Sequence, residues 1–347
     1  MLLMTQSCSN SPKQATDNAQ MPRGEAVAEI TAAADELIAY TDTLDGVTLQ
    51  SVMIAQHSKV IYEKWVNGGA ADTPHVMHSV SKSFCATAVG MLVDDGKLKV
   101  TDKVVDFFPD QLPAEVSDNL KAMTVRDLLT MNCGHETEPS VRRNGDSTDW
   151  VSAFLAHPVT KEPGTWYCYN SIGTYMLSAI VQKITGQKVV DFLTPRLFEP
   201  LHIEKPRWDE SPQGINCGGW GLFIKTEDML KFGQLFLQQG QWEGKQLLSR
   251  EWVAEASACQ VPSVPAGTRP DEVEAKGLTT DNCAWLLGYG YQMWRCPDNA
   301  YRADGARGQY IIVMPDQDAV IAVTADSPDL QAELSSIYKY LFPVLKK

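Results

Sequence analysis

Residues 79–93 read SVSKSFCATAVGMLV, and Lys82 carries the only charge in the run. Its composition predicts an apolar helix beginning at Ser79. Ser79 and Lys82 then stand three residues apart on one face, a turn from each other. A serine hydroxyl at its ordinary pKa is a weak nucleophile and needs a neighbouring base. A lysine becomes that base when burial penalises its ammonium form. The pair reads as nucleophile and base, with the helix dipole favouring negative charge that develops at Ser79. The S-x-x-K spacing is a weak signal by itself: Ser336-Ile337-Tyr338-Lys339 repeats it and reads as the solvated side of a terminal helix.

Working outward, 25–40 (EAVAEITAAADELIAY) has helical periodicity. Residues 50–55 and 60–66 read as two strands of an antiparallel hairpin joined through His57-Ser58-Lys59. The Ser79 helix ends near Asp94-Asp95-Gly96. Helical segments dominate from about 100 to 285, among them 124–131, 149–155, 171–185 and 226–239. Strand character returns at 288–294 and at 309–315, which pairs with 319–325 across Asp316-Gln317-Asp318; a last helix spans about 328–345. The expected fold is therefore α+β: an antiparallel sheet built from both ends of the chain, flanked by terminal helices, with an inserted helical lobe. Residues 1–24 read as a flexible tail and 25–347 as a single domain. Its α/β lobe takes about 25–78 and 286–347, its helical lobe about 79–285, and the Ser79 helix lies where the lobes meet, a favoured place for a pocket.

The 347 residues carry a net charge of −13, with 44% hydrophobic and 21% charged side chains. That balance argues against nucleic acid or anionic membrane as a partner, and no apolar run is long enough for a membrane span. Eight scattered cysteines form no C-x-x-C pair, and His75 and His78 have no third ligand nearby, so neither a disulfide framework nor a metal site is expected. No cofactor is expected. Thr5-Gln6-Ser7-Cys8 before a polar stretch resembles the end of a bacterial lipoprotein signal, with Cys8 as the lipid anchor. Export to the periplasm or cell envelope is the expectation, a cytoplasmic protein with a disordered tail the alternative. Oligomeric state is left open.

Two further stretches bear on chemistry. Pro163-Gly164-Thr165 precedes Trp166-Tyr167-Cys168-Tyr169-Asn170-Ser171, where a tyrosine near a cation can act as base or relay. Asp304-Gly305-Ala306-Arg307-Gly308-Gln309 leads into an apolar strand, and its glycines let backbone approach a ligand. A strand N–H there, facing that of Ser79, would form an oxyanion hole. Trp166, Trp220 or Trp294 could wall the pocket.

In order and spacing these three elements resemble the serine β-lactamase-like group, which includes class C β-lactamases, DD-peptidases and family VIII-type esterases; 124–131 (TVRDLLTM) and 218–222 (GGWGL) look like further signatures. The resemblance covers about 25–345 and implies a β-lactamase/transpeptidase-like fold. It implies Ser79 as nucleophile, Lys82 as base and Tyr169 as catalytic tyrosine, with Tyr167 in reserve. Ser171 falls on the asparagine position of the family's Tyr-x-Asn element, with Asn170 displaced by one. The Ala306 N–H joins that of Ser79 in the oxyanion hole, beside Gly305. The Lys-Thr-Gly of penicillin-recognising members is replaced by Ala303-Asp304-Gly305; Asp304 would repel a carboxylate unless Arg302 or Arg307 offsets it. The expected activity is hydrolysis of an ester or amide, including a peptide or β-lactam, in a small-molecule or peptide substrate through an acyl-enzyme. The alternative is an acylation-only or non-catalytic penicillin-binding-like sensor. A rival hydrolase using His78 as base lacks a G-x-S-x-G elbow.

Overall fold

The computed structural model describes residues 20–141, 148–204 and 206–345. Strands run β1 (Leu49–Gln56), β2 (Lys59–Trp65), β3 (His75–Val76), β4 (Arg207–Trp208), β5 (Leu222–Ile224), β6 (Gln241–Trp242), β7 (Lys245–Gln246), β8 (Trp294–Arg295), β9 (Tyr301–Gly305), β10 (Gln309–Met314) and β11 (Ala319–Ala325). The main sheet has six antiparallel strands in the order β2-β1-β11-β10-β9-β8, so the two ends of the chain meet where β1 pairs with β11. The hairpin β1–β2 turns through His57 and Ser58, both at positive φ, as a two-residue turn between right-twisted strands requires. β10 and β11 are buried along their whole length because both sheet faces are covered, which erases the usual apolar–polar alternation.

Helices run α1 (Ala28–Thr41), α2 (Ser81–Asp94), α3 (Asp118–Ala122), α4 (Val125–Leu129), α5 (Trp150–Ala156), α6 (Ser171–Thr185), α7 (Val189–Leu193), α8 (Thr226–Leu237), α9 (Arg250–Ser257) and α10 (Leu330–Leu341). On one face of the sheet α1 and α10 pack over Ile54, Ile312, Ile321 and Val323. On the other, α8 lies over β1, β10 and β11, with Phe232 and Met229 sharing a core with Ile311 and Val320. Gly233 makes that approach possible, since a Cβ there would meet Val320 Cγ1 at 2.4 Å. The helix expected at 226–239 in the helical lobe thus belongs to the sheet: its apolar stripe matches a second sheet face that the terminal helices leave uncovered.

Three other expectations change. The 288–294 strand shrinks to Trp294–Arg295, because Gly288 (φ +109°) and Gln292 (φ +60°) break the extended path before it. The tail ends before residue 24: Met21 is buried, and Arg23 bridges to Val60 and pairs with Glu63 and Glu227. Cys8 lies outside the described residues. Finally, α2 begins at Ser81, and Ser79 sits in a 3₁₀ turn, His78–Val80, that runs directly into it. Among the described residues no helix is long and apolar enough to cross a membrane, and no group of three or more His, Cys, Asp and Glu could hold a metal.

Candidate active site

The turn bearing Ser79 is held in a tense shape. His78, just before it, has φ +45°, which costs a non-glycine residue energy unless its neighbours fix it. They do: Met77 N donates to Leu222 O (2.7 Å), and Leu222 N donates to Ser81 Oγ (3.1 Å), tying the turn to β5. From the other side β9 presses in at Gly305, where a Cβ would lie 2.5 Å from Met77 O. Only a glycine lets that strand end approach, and the approach brings Ala306 to the same cavity as Ser79.

Lys82 is 1% exposed, in an α2 packed on nearly every side. Its Nζ lies 3.0 Å from Ser79 Oγ, 3.1 Å from Ser171 Oγ and 2.7 Å from Gly219 O. An amine between two hydroxyls at hydrogen-bond distance can move a proton from one oxygen to another. Lys82 Nζ also stands 4.9 Å from the ring centroid of Tyr169, whose ring stacks on Trp294 at 5.6 Å. Tyr169 lines the cavity, whereas Tyr167 is buried against Tyr289 and Trp294. Burial pushes the Tyr167 phenol well above its usual range.

Asn170 and Ser171, adjacent in sequence, part company at the start of α6. Asn170 is the N-cap: its Oδ1 accepts from Gly173 N (2.9 Å), and its Nδ2 lies 3.1 Å from His135 Nδ1. That leaves Ser171 to face Lys82. Ser171 N donates to Glu138 Oε1 (2.8 Å), a carboxylate that sequence reasoning missed because it sits in a loop without a motif. Gln292 was missed too. Its buried amide joins Thr174 of α6 to the carbonyls of Leu128 and Leu129, and its own carbonyl accepts from Ser83 of α2.

The cavity beside Ser79 holds about 330 Å³ and is walled chiefly by Pro265, Ala266, Trp285, Trp294 and Leu330, with no lysine or arginine among the described residues that line it. Of the three expected tryptophan walls only Trp294 is there. Trp220 packs on Trp150, and Trp166 lies under Lys161 and Arg269. Asp304 does reach the cavity, but Arg302 Nε donates to its Oδ2 (2.9 Å), as does Trp285 Nε1 (2.9 Å). Arg302 is wholly buried behind the wall, and Arg307 is ion-paired with Asp326, so neither stands free to receive a substrate carboxylate. The His78 imidazole is half-buried; burial lowers its pKa, and the nearby Arg307 guanidinium lowers it further.

An antiparallel sheet thus meets a 3₁₀ turn that presents Ser79 to a cavity and a helix that buries Lys82 beside it, the arrangement expected from the resemblance to the serine β-lactamase-like group. The chain belongs to the Beta-lactamase family, whose model matches residues 36–341. It is 26% identical over 325 residues to the 6-aminohexanoate-dimer hydrolase of Paenarthrobacter ureafaciens, covering 88% of this chain and 79% of that one. To penicillin-binding protein 4 of Amycolatopsis lactamdurans it is 25% identical over 314 residues, 79% of this chain and 78% of the other. The fold matches the crystal structure of a family VIII carboxylesterase with a TM-score of 0.69 at 16% identity, over 92% of this chain and 99% of that one. The protein is a serine hydrolase of the β-lactamase-like family.

Proposed function

We propose that this hydrolase cleaves an ester or amide bond of a small substrate through an acyl-enzyme at Ser79. The observation that carries the reading is the buried Lys82 amine, 3.0 Å from Ser79 Oγ and 3.1 Å from Ser171 Oγ. Ser79 Oγ attacks the carbonyl carbon while its proton passes to the Lys82 amine. The carbonyl oxygen takes the negative charge and is met by the N–H groups of Ser79 and Ala306, each such donor contributing several kcal/mol when pre-placed. Lys82, with Tyr169 across the cavity, delivers the proton to the leaving oxygen or nitrogen, and the alcohol or amine departs. Water then attacks the acyl-serine by the same route in reverse, freeing the acid and restoring Ser79.

The cavity favours a compact, apolar acyl group, since its walls are aromatic and aliphatic. A substrate carboxylate finds Asp304 where the family's penicillin-recognising members hold a hydroxyl, and no lysine or arginine among the described lining residues. Neutral esters and amides are therefore preferred over penicillins. The 6-aminohexanoate dimer named for one relative and the carboxylic ester named for another both suit a site of this kind. Intact-protein mass spectrometry after treatment with a fluorophosphonate and, separately, with a penicillin tests the reading. A fluorophosphonate adduct on Ser79, with turnover of neutral esters or amides, is expected. An adduct on another residue would sink it, and a long-lived penicillin adduct without turnover would favour an acylation-only binding protein.

A further inference from the structure

The β9–β10 turn, residues 306–308, presents Ala306 to the cavity, and a carboxyl group underlies it. Glu333, in the first turn of α10, is completely buried, and the polar group that meets its carboxyl is the Ser327 hydroxyl. Its carboxyl lies directly under Gly308: a Cβ at Gly308 would sit 2.0 Å from Oε2 and 2.6 Å from the carboxyl carbon. Gly308 has φ +86°, a conformation glycine adopts without strain.

The other ties on this turn act elsewhere. Ser327 N and Gln309 Nε2 both donate to Arg307 O (3.0 and 3.2 Å), and the Arg307 guanidinium pairs with Asp326. Glu333 meets the Gly308 side. Capping of α10 does not explain it, because Asp329 is the N-cap, accepting from Ala332 N. A carboxyl buried without an ion pair is costly, so a bare space-filling role would be better served by an apolar side chain. We propose that Glu333 is a positioning residue for the oxyanion site, seating Gly308 so that the Ala306 N–H faces Ser79. The inference rests on the acyl-enzyme reading above.

The groups facing Glu333 are Asp304 on β9, Tyr310 on β10 and Ser327 in the loop before α10. Burial raises its carboxyl well above the usual range; the Ser327 hydroxyl opposes this, and the Asp304 charge adds to it. The fold therefore accommodates the protonated form. An unfolded glutamate ionises near pH ~4.3, so this group's contribution to stability falls as pH rises from there to its raised folded value. Ionisation beneath Gly308 pushes the turn, and Ala306 with it, out of place.

The test is the rate at which a fluorophosphonate labels Ser79, measured by intact mass from pH 6 to 10. Glu333→Gln keeps the shape and has no proton to lose. It is expected to match the wild type where the carboxyl is protonated and to keep its rate as pH rises where the wild type declines. Glu333→Ala is expected to label about 10- to 100-fold more slowly at every pH, the effect of an oxyanion donor displaced by a fraction of an ångström to an ångström. Wild-type labelling rates in Glu333→Ala, or a Glu333→Gln profile identical to the wild type, would overturn the proposal. Should Glu333→Ala fail to fold, the Glu333→Gln profile still decides. Labelling that never maps to Ser79 in the wild type overturns the acyl-enzyme reading instead.

Discussion

Arg302→Met is the perturbation that most directly tests how the cavity wall is held. The Arg302 guanidinium is 0% exposed and donates to Asp304 Oδ2 (2.9 Å), Arg295 O (3.2 Å) and the Tyr338 hydroxyl (3.2 Å). Methionine fills much of the side chain's volume and supplies none of these donors. Asp304 keeps only Trp285 Nε1 (2.9 Å) and becomes an uncompensated carboxylate at 7% exposure. Breaking one partner of such a pair costs about 3–5 kcal/mol, a large share of the roughly 5–15 kcal/mol that holds a folded protein together. Replacing both partners by apolar side chains is much cheaper, so Arg302→Met/Asp304→Leu should regain at least half of the loss. The deficit of the single variant has a pH sign. Burial already raises the Asp304 carboxyl, and without Arg302 it rises further, so protonation relieves the stranded charge. The single variant should be nearer the wild type at pH 5 than at pH 8. Urea unfolding followed by tryptophan fluorescence at both pH values, extrapolated linearly to water, measures this. A single-variant loss below about 1 kcal/mol, or a double variant costing the sum of its two singles, would refute the coupled pair.

Lys82→Met should lower turnover of a neutral ester by about 10²–10⁴-fold, the usual worth of a positioned base, with substrate binding unchanged; equal turnover would remove Lys82 from the chemistry. His135 provides an acid-side counterpart. Burial, with a smaller push from His157, lowers its imidazole to about 3, so the unfolded chain binds a proton between there and the ordinary value near 6.5 that the fold does not. Stability present above pH 6.5 is lost as pH falls through that window, about 2 kcal/mol from this group by pH 5. In His135→Gln, which has no such proton to bind, urea midpoints should fall less between pH 7 and 5; an unchanged slope would count against this account.

Much of the architecture was legible from local pattern. The hairpin at 50–66 and the pairing of 309–315 with 319–325 carry their own periodicity and punctuation and are elements of the structure, as is the helix expected at 79–93 from Ser81 onward. The placement of α8 was not legible: an amphipathic helix declares that it has an apolar face, not which surface will cover it. The 288–294 stretch has strand residues, yet the path around Gly288 and Gln292 is set by what packs on either side.

The same division runs through the site. Sequence alone brought Ser79 and Lys82 together, because three residues along a helix is a fixed geometry. The resemblance to the β-lactamase-like group added Tyr169, Ser171 and Ala306 as candidates. What neither could decide was orientation and charge. Tertiary packing turns Asn170 into a cap and Ser171 toward Lys82, pairs Arg302 with Asp304 and Arg307 with Asp326, and selects Trp285 and Trp294 as the aromatic wall. Glu333, 25 residues beyond the glycine it supports, carries no motif at all. Spacing specifies neighbours within one helix or strand, whereas contacts across elements depend on which surfaces come together when the whole core closes.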